Sequence, residues 1–583
     1  MREELVKAEG KISKNAFENL EKWLLNEKYQ SFHKEILSFI NDENWQELED
    51  SFFKVLEFGT AGRRGKVGVG SNRINLITIS ESAQALADYL KELKIKNRSV
   101  VIGWDVRNSS SELSKRCAEI LAANDIKVFY FDSPRSTPEL SFTVRNLKAS
   151  AGIVISASHN PPEDNGIKIY WNDGAQVSSP YDKNLMKIAQ NVGDFTIGNF
   201  SDFVKNGNIE ILGGKNDQNY IDANLKLSLS KERNVRIIFS PIHGTGSTNL
   251  LKTLKNVGFK NIELVEEQME FDGSFSTLID QKPNPENFSA NRMAISRLKK
   301  SQADIALTTD PDADRICVMS LEKNGEVRVF SGNQTAILIA DYILSKNQKL
   351  KNKYAELYFG RRDFICKSFV TTDMLNVLAE KYDVKIYDDL MVGFKFIGKK
   401  ILQKESLGEK FLAGFEESLG GLVGNQTRDK DAATIGLIIS ELAAELKLKN
   451  QTLGEKLDQI YAKNGYFVEK TESVEFVGAE GFEKMQEIMR KIRSGNIDFG
   501  ASKMRDFQNL IEKDFVKNSI QSFEMLEGGN AVSFEFGEKM KRITIRPSGT
   551  EPKMKIYAQW LFKKAEDRVE IEQILEEFKE KIL

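Results

Sequence analysis

The stretch from residue 99 to residue 157 decides the class of fold, and it opens with SVVIGWD (99–105) and closes with AGIVISA (151–157). Between these apolar runs lie the helical pattern SELSKRCAEILAAN (111–124) and a further apolar run, KVFYFD (127–132). Apolar runs of strand length that alternate with amphipathic helices are typical of βαβ units. The stretch therefore predicts a mostly parallel sheet covered by helices.

The same alternation recurs twice further along the chain. VRIIFS, NIELVE and ADIALTTD flank helices between residues 235 and 310, and AELYFG, SFVTTD and VKIYDD do so between 355 and 389. The last part differs, because residues 531–560 hold several strand patterns close together and an amphipathic helix follows them. The chain is thus predicted to belong to the α/β class, with three similar mixed α/β domains followed by a smaller α+β C-terminal domain. We expect the four domains to form an enzyme with a cleft between them.

We expect domain boundaries near residues 215, 328 and 462. A chain of 583 residues has the length of about four ordinary domains. Amphipathic helices precede residue 55 and belong to the first domain. The predicted domains are 1–215, 216–328, 329–462 and 463–583.

Composition excludes several classes of function. A net charge of −2 creates no field that would draw the chain to nucleic acid or to a membrane surface. No run of about 20 apolar residues is present, and the amino terminus lacks the apolar core of a signal peptide. Cys117, Cys317 and Cys366 are too few and too scattered for a disulfide framework. These features predict a cytoplasmic protein, and the absence of a GK[ST] loop argues against ATP as the main ligand.

The strongest chemical signal is TTDPDADRI (308–316), an acidic loop that follows an apolar strand pattern. Asp310, Asp312 and Asp314 alternate along it, and hard divalent cations such as Mg²⁺ prefer carboxylate oxygens. The loop is therefore a predicted Mg²⁺ site. Two alternatives remain at this point: a solvated acidic turn, and a phosphatase loop in which Asp310 attacks phosphorus.

Two glycine-containing loops carry clustered positive charge. In RPSGTEPK (546–553), a guanidinium, hydroxyl groups, an ammonium and freed backbone N–H groups suit a dianionic phosphate. The predicted phosphate ligands are Arg546, Ser548, Gly549, Thr550 and Lys553. In FGTAGRRGKVGVGSNRIN (58–75), five glycines permit close approach of the backbone, and Arg63, Arg64 and Arg73 supply charge.

Three further positions are weaker candidates. Glu416 and Ser418 lie in AGFEESLGG, where a carboxylate and a hydroxyl form the kind of pair that binds sugar hydroxyls. Lys395 lies nearby in GFKFIGKK. A plain surface turn is the alternative for each. The loop SASHNPPEDNGIKIYW (156–171) adds a candidate nucleophile, and its histidine either acts as a base or only shapes the loop.

These motifs resemble those of the α-D-phosphohexomutase family, in particular its long phosphoglucomutase branch. FGTAGRRG, SASHNPP with NGIK, TTDPDADR, GFKFI with GFEES and RDKDA, and RPSGTEPK follow one another in the family's order from residue 58 to residue 557. The resemblance implies that Ser158 carries the phosphoryl group and that a phosphoserine oxygen joins the aspartates on Mg²⁺. It further implies that Arg64, Lys168, Arg315 and Lys395 line the site.

What the resemblance implies is a phosphosugar mutase that interconverts glucose 1-phosphate and glucose 6-phosphate. Its partners would be a phosphorylated hexose and a bisphosphorylated sugar intermediate, without nucleic acid or membrane. Phosphomannomutase and phosphopentomutase activities of the same family are the alternatives. A sugar phosphatase and a non-catalytic sugar-phosphate binding protein are less favoured, because one phosphoryl-transfer reaction accounts for every motif. Arg63 stands where relatives usually have an apolar residue.

Overall fold

The computed structural model describes residues 1–57, 62–353, 362–476, 478–494, 497–537, 540–548, 553–564 and 566–582. Within these ranges no helix has both the length and the apolar character needed to cross a membrane.

Four short helices form an amino-terminal bundle. Ser13 begins the second helix by accepting a hydrogen bond from the N–H of Ala16, and Asn44 begins the fourth in the same way. The indole of Trp23 stacks on Tyr29 with 4.3 Å between ring centres, in a core that also buries Phe52. The helices are α1 (Arg2–Ala8), α2 (Lys14–Leu25), α3 (His33–Asn41) and α4 (Trp45–Phe52).

The first α/β segment holds a six-stranded sheet in the order β1-β5-β4-β2-β3-β6. Strands β2, β3, β4 and β6 are parallel, whereas β5 pairs antiparallel with both β4 and β1. The strands are β1 (Arg63–Lys66), β2 (Ser99–Trp104), β3 (Lys127–Phe131), β4 (Ala151–Ile155), β5 (Asp164–Trp171) and β6 (Ile209–Leu212). The helices are α5 (Leu76–Glu92), α6 (Ser110–Ala123), α7 (Thr137–Asn146), α8 (Tyr181–Gln190) and α9 (Phe200–Lys205).

The second segment repeats this plan with a five-stranded sheet in the order β11-β10-β9-β7-β8. Strands β7, β8 and β9 are parallel, and β10 returns antiparallel beside β9. The strands are β7 (Ile237–Ser240), β8 (Ile262–Leu264), β9 (Ile305–Thr309), β10 (Ile316–Leu321) and β11 (Val327–Phe330). The helices are α10 (Gly214–Leu225), α11 (Leu250–Val257) and α12 (Phe288–Ser301).

The third segment has a four-stranded sheet in the order β13-β12-β14-β15, again with an antiparallel last strand. The strands are β12 (Arg362–Ser368), β13 (Lys385–Leu390), β14 (Glu409–Phe415) and β15 (Gly421–Val423). The helices are α13 (Gly332–Lys353), α14 (Met374–Lys381), α15 (Phe394–Glu405), α16 (Ala432–Leu448) and α17 (Leu453–Asn464).

One strand prediction in this segment is wrong. SFVTTD was expected to be extended, but β12 ends at Ser368 and the following residues form the loop before α14. The reason is local hydrogen bonding, because the buried Lys367 ammonium binds Thr371 O at 2.9 Å and Asp373 Oδ1 at 2.6 Å. The predicted strand AELYFG (355–360) lies outside the described residues.

The C-terminal segment is built differently, around an antiparallel seven-stranded sheet in the order β16-β22-β21-β20-β17-β18-β19. Its strands are β16 (Tyr466–Glu475), β17 (Lys503–Asp506), β18 (Ile511–Asp514), β19 (Ser519–Ser522), β20 (Val532–Glu535), β21 (Lys541–Pro547) and β22 (Lys553–Phe562). Its helices are α18 (Gly478–Ser494) and α19 (Glu570–Ile582). The predicted fold class, three α/β segments followed by an α+β segment, is confirmed. The boundaries at 215, 328 and 462 stay a prediction.

Candidate active site

Three equivalent turns carry the candidate residues. Each α/β segment ends its parallel strands with an antiparallel hairpin, formed by β4–β5, β9–β10 and β14–β15. The turn of the first hairpin holds Ser158, that of the second holds Asp310 to Asp314, and that of the third holds Glu416 and Ser418. Because binding sites in open α/β sheets lie at the carboxyl ends of strands, the repeated plan brings all three sets to corresponding edges.

The second turn places three carboxylates together in the interior. Asp310 and Asp312 are fully buried, Asp314 is nearly so, and one oxygen from each lies within 4.8 Å of the others. Ala313 has a φ of +50°, a left-handed conformation that bends the turn. Asp310 Oδ1 accepts hydrogen bonds from the N–H groups of Asp314 (3.1 Å) and Arg315 (3.0 Å).

A second loop supports this turn from behind. The N–H and hydroxyl of Thr245 both donate to Pro311 O, at 2.8 and 2.9 Å. Gly244 is required here, because a Cβ on this residue would lie 2.4 Å from the Cα of Pro311. His243 in the same loop contacts Glu270 O (3.0 Å) and Thr277 Oγ1 (2.8 Å), so both of its ring nitrogens are used in holding this loop.

The electrostatics of the three carboxylates differ. Burial raises the pKa of Asp310 well above its usual range, and the Asp314 and Asp312 carboxylates raise it further. Burial also acts to raise the pKa of Asp312, but the Lys168 ammonium, 2.6 Å from Asp312 Oδ2, lowers it well below its usual range. Lys168 also lies 3.6 Å from Asp314 Oδ2, so this lysine faces the acidic turn directly.

The donor set fits a hard divalent cation. Among the described residues, Asp312 Oδ1 and Asp314 Oδ1 are buried oxygens without a hydrogen-bond partner. Buried carboxylate oxygens left in this way are costly unless a cation balances them. Three carboxylates within 4.8 Å are the oxygen ligands that Mg²⁺ and Ca²⁺ take. The group can therefore bind a metal ion.

Ser158 lies against this group although it is 152 residues away in sequence. Its hydroxyl donates a 2.6 Å hydrogen bond to Asp310 Oδ2, and the side chain is 1% exposed. Its φ of +52° is in the left-handed region, which costs a serine on the order of 1–2 kcal/mol. Thr137 adds a second link from the first segment, because its hydroxyl donates to Asp312 Oδ2 at 2.8 Å.

His159 is poorly suited to act as a base for this serine. Its Nδ1 lies 3.1 Å from Ser158 Oγ. Burial lowers the pKa of His159 well below its usual range, and the nearby Arg315 and Arg64 guanidinium groups lower it further. A weakly basic imidazole hydrogen-bonded to its neighbour supports the loop-shaping interpretation.

The third turn joins the second through the backbone and through one lysine. Ile316 N–H donates to Leu419 O at 3.2 Å. The Lys430 ammonium lies 3.2 Å from Asp314 Oδ2, 3.2 Å from Asp429 Oδ1 and 3.9 Å from Glu416 Oε2. Lys430 therefore links the metal-compatible turn to the candidate sugar-binding turn.

Glu416 is held in a defined position. Its Oε1 accepts a 2.8 Å hydrogen bond from the N–H of Gly393, whose φ of +127° few other residues adopt. Burial raises the pKa of Glu416 to about 7, and the Lys430 ammonium acts against this rise. Ser418 is half-buried in the same turn.

Arg64 and Arg315 face the acidic turn, but Lys395 is paired elsewhere. Burial lowers the pKa of Arg64, while the Asp312 and Asp314 carboxylates act in the opposite direction. Arg315 Nε is 4.0 Å from Asp314 Oδ1. Lys395 forms an ion pair with Asp182 at 3.1 Å, on the first turn of α8.

The expected anion-binding role of Arg63 and Arg73 is not what the structure shows. Arg63 is 1% exposed and donates to Leu56 O (2.8 Å), Thr78 O (2.7 Å) and Ser82 Oγ (3.0 Å). Arg73 donates to Asp50 O and pairs with a glutamate of α4. Arg63 is used in holding β1 against α5 and the segment after α4, and Arg73 is used in contacts with α4, so neither guanidinium is available to an anion.

The C-terminal loop that the sequence predicts to bind phosphate is described only in part. Gly549 and Thr550 lie outside the described residues. Ser548 N–H donates to Lys553 O at 2.7 Å, and the Lys553 ammonium pairs with Glu475 at 3.0 Å. Arg546 lies in β21, one strand from β22.

A glutamate of the third segment faces the C-terminal segment. Burial raises the pKa of Glu417, whereas Lys555 and Arg546 act to lower it. Two basic residues of the last segment therefore approach the turn that holds Glu416 and Ser418.

Sequence reasoning missed Lys430 and Lys555 as members of this site. Lys430 stands inside the RDKDA motif, which was quoted without assigning a role to the lysine. The alternation of Lys553 and Lys555 in KMKIY (553–557) was a usable signal, because residues two apart in a strand share a face.

Comparison with known families agrees with this architecture. The family described as phosphoglucomutase/phosphomannomutase matches with its alpha/beta/alpha domain I at residues 55–194, domain II at 218–323 and domain III at 331–464. The chain belongs to this family, which confirms the resemblance drawn from the motifs.

Curated relatives cover most of the chain. A phosphoglucomutase of Staphylococcus aureus is 33% identical over 535 residues, which is 89% of this chain and 92% of that protein. A phosphoglucomutase of Staphylococcus haemolyticus is 32% identical over 529 residues, with 90% and 93% covered.

Solved structures show the same fold at lower identity. Parafusin from Paramecium, a phosphoglucomutase in an open form, has a TM-score of 0.64 at 20% identity and covers 89% of this chain and 95% of its own. A phosphoglucomutase/phosphomannomutase family protein of Burkholderia thailandensis has a TM-score of 0.65 at 16% identity, with 89% and 96% covered.

Proposed function

We propose that this protein interconverts glucose 1-phosphate and glucose 6-phosphate through a phosphoserine at Ser158 and a glucose bisphosphate intermediate. The observation that carries the proposal is the 2.6 Å contact between Ser158 Oγ and Asp310 Oδ2 inside a metal-compatible group of carboxylates. Family membership and phosphoglucomutase relatives at 33% identity over most of the chain support the choice of substrate.

In the first half-reaction the P–O bond at Ser158 Oγ breaks and a bond forms from phosphorus to a free hydroxyl of the sugar. The hydroxyl proton leaves the sugar and the serine oxygen regains one. In the second half-reaction Ser158 Oγ attacks the phosphorus of the other phosphate of the bisphosphate. The bond from that phosphorus to the sugar oxygen breaks, and the sugar oxygen gains a proton while the serine hydroxyl loses one. Ser158 is phosphorylated again at the end, so no phosphate is consumed.

Charge in this site is arranged for such a transfer. Asp310, Asp312 and Asp314 would hold Mg²⁺, which supplies a positive charge to the phosphoryl oxygens when bound. Lys168 and Arg315 lie beside the same turn and add positive charge where phosphoryl oxygens would gather. The pairing of Lys168 with Asp312 keeps its ammonium at the carboxylates, which favours charge stabilisation over acid–base chemistry.

Recognition of the rest of the substrate is assigned to the last two segments. Glu416 and Ser418 would bind sugar hydroxyls. The phosphate that is not transferred would be held by the C-terminal loop, whose proposed ligands are Arg546, Ser548, Gly549, Thr550 and Lys553. Arg64 and Lys395 would complete the lining. The proposed domains, with limits at 215, 328 and 462, then contribute one loop each, in the cytoplasmic setting that the free cysteines favour.

A phosphatase that uses Asp310 as nucleophile is less well supported. Both oxygens of Asp310 are already engaged, because Oδ1 accepts two backbone N–H groups and Oδ2 accepts the Ser158 hydroxyl. Asp310 is thus held as a hydrogen-bond acceptor, and the hydroxyl beside it belongs to Ser158.

Product analysis separates these functions. The protein is given glucose 1-phosphate, mannose 1-phosphate or ribose 1-phosphate with Mg²⁺, and both isomer formation and free phosphate are measured. We expect conversion of glucose 1-phosphate to glucose 6-phosphate without stoichiometric phosphate release. Faster turnover of mannose 1-phosphate or ribose 1-phosphate would show that glucose 1-phosphate is not the preferred substrate. Phosphate release without isomerisation would contradict the mutase proposal.

A further inference from the structure

One buried arginine holds the whole turn that carries Ser158. Arg107 is 3% exposed and follows β2 after a short loop. Its two terminal nitrogens donate to four backbone carbonyl oxygens, those of Ser158 (2.7 Å), Asn160 (2.5 Å), Pro161 (2.6 Å) and Asp164 (2.8 Å). A single guanidinium therefore fixes the backbone from the serine to the first residue of β5.

The guanidinium is itself fixed by two neighbours. Asp105 Oδ2 lies 3.2 Å from Arg107 Nε, and Asp105 Oδ1 accepts hydrogen bonds from the N–H of Arg107 and the hydroxyl of Ser110. The ring of Phe275, a fully buried residue of the second segment, lies 5.4 Å from the guanidinium carbon, within cation–π range. The contact connects the serine turn to the segment that supplies the three aspartates.

The conformation of Ser158 explains why the turn needs these hydrogen bonds from Arg107, which we call the Arg107 clamp. Its φ of +52° is unfavourable for a serine and persists only where the surroundings impose it. The N–H of Ser158 donates to Ser156 Oγ at 2.8 Å, and its carbonyl accepts from Arg107, so the backbone groups on both sides are held. This conformation is the one in which Ser158 Oγ reaches Asp310.

We propose that Arg107 is a positioning residue for phosphoryl transfer, which holds the Ser158–Asp164 backbone so that Ser158 Oγ faces the aspartates. The inference rests on the proposed function of Ser158, although Arg107 itself does not touch the reacting atoms. Lysine is not an adequate substitute, because guanidinium presents five N–H donors in a rigid plane whereas ammonium presents its donors from one nitrogen.

The test compares Arg107→Lys and Arg107→Gln with the wild-type chain. Because small misplacement of a reacting group costs about 100-fold in rate, we expect kcat of Arg107→Gln to fall by about that factor. The kcat of Arg107→Lys should fall less, because this variant keeps the positive charge although it loses the planar set of N–H donors. KM for glucose 1-phosphate should change by less than about threefold, since Arg107 is not assigned to substrate binding.

Arg233 provides a matched control. Its guanidinium also donates to backbone carbonyls, contacts a carboxylate (Glu441, 3.1 Å) and lies 4.9 Å from an aromatic ring (Phe259), but it does not contact the serine turn. We expect the Arg107 and Arg233 variants to lower the melting temperature to a similar extent. Arg233→Lys and Arg233→Gln should nevertheless leave kcat within about twofold of the wild-type value. If the Arg107 variants fail to fold, Phe275→Leu removes the cation–π contact, keeps an apolar side chain at this buried position and should lower kcat several-fold.

Hydrogen exchange gives a readout that does not depend on activity. Amides of residues 156–166 should exchange about tenfold faster in the Arg107 variants and at the wild-type rate in the Arg233 variants. Unchanged kcat and unchanged exchange in folded Arg107 variants would overturn the clamp, as would equal loss of kcat in the Arg233 variants. A wild-type protein that fails to isomerise sugar phosphates while the exchange prediction holds would overturn the proposed function and leave the clamp standing.

Discussion

Glu416 shows how one residue's environment sets its chemistry. A buried carboxyl with a pKa raised to about 7 is neither fully ionised nor fully protonated near neutral pH. Its Oε1 is engaged by Gly393 N–H at 2.8 Å, while Oε2 lies 3.9 Å from the Lys430 ammonium. The carboxylate form is the better acceptor of a sugar hydroxyl, so sugar binding should depend on its ionisation.

Glu416→Gln tests this dependence, because glutamine keeps an acceptor for Gly393 but never ionises. We expect kcat/KM for glucose 1-phosphate to fall about tenfold at pH 8, where wild-type Glu416 is ionised. The wild-type advantage should shrink as pH falls through about 7, because Glu416 then takes up a proton. The measurement is kcat/KM of both proteins from pH 5.5 to 8.5. A wild-type to Glu416→Gln ratio of kcat/KM that does not change with pH would contradict the role of ionised Glu416 in sugar binding.

At the scale of elements, Asp431 begins α16 in the third segment and also contacts a helix of the second segment. Asp431 Oδ1 accepts from the N–H of Ala433 (2.9 Å) and from the hydroxyl of Tyr220 (2.8 Å) on α10. Burial nevertheless raises the pKa of Asp431 to about 7, against the lowering effect of these hydrogen bonds. The native protein therefore keeps a proton on Asp431 that the unfolded chain loses near pH 4.

The expected consequence is a loss of stability as pH rises from about 4 to about 7, since the native state binds more protons than the unfolded state in that interval. Asp431→Asn retains the acceptor oxygen and removes the titration. The melting temperature of Asp431→Asn minus that of the wild type should increase from pH 5 to pH 8, following a change in the difference in unfolding free energy on the order of 3 kcal/mol over that range. A difference that stays constant with pH would show that Asp431 is ionised in the folded protein.

The three hairpin turns illustrate what could be predicted from the sequence. Ser158, the three aspartates and Glu416 each follow an apolar strand pattern, so their placement at strand ends was readable. SFVTTD was misread because its Val and Thr residues favour strands, while the side chain of Lys367 holds that backbone as a loop. Arg107 also follows a buried strand, but the turn that it clamps begins 51 residues later.

On the scale of the whole molecule, the amino-terminal bundle is attached to the first sheet by buried charge. Arg63 binds two carbonyl oxygens and lies 3.9 Å from Glu81, which Lys28 of the bundle contacts at 2.8 Å. Pairings of this kind join residues far apart in sequence, as does the 2.6 Å hydrogen bond from Tyr170 to Asp429. Such partners carry no local sequence signal, which is why the purpose of the bundle could not be predicted.

Arg63→Met tests this attachment, because it restores an apolar residue but removes the donors to Leu56 O and Thr78 O. Removal of one partner from a buried charged network costs about 3–5 kcal/mol, so the melting temperature should fall by several degrees. Lys14→Ala, at a site 89% exposed, is the control and should leave the melting temperature unchanged. An Arg63→Met protein as stable as the wild type would contradict a supporting role for this guanidinium.

The most direct test of the central claim follows one phosphate through Ser158. The protein is incubated with glucose 1,6-bisphosphate carrying labelled phosphate, the modified residue is mapped by mass spectrometry, and unlabelled glucose 1-phosphate is then added. The account predicts label on Ser158, transfer of that label to sugar at least as fast as turnover, and no labelling of Ser158→Ala. Turnover by wild-type protein without label at Ser158, or loss of the label as inorganic phosphate, would contradict it.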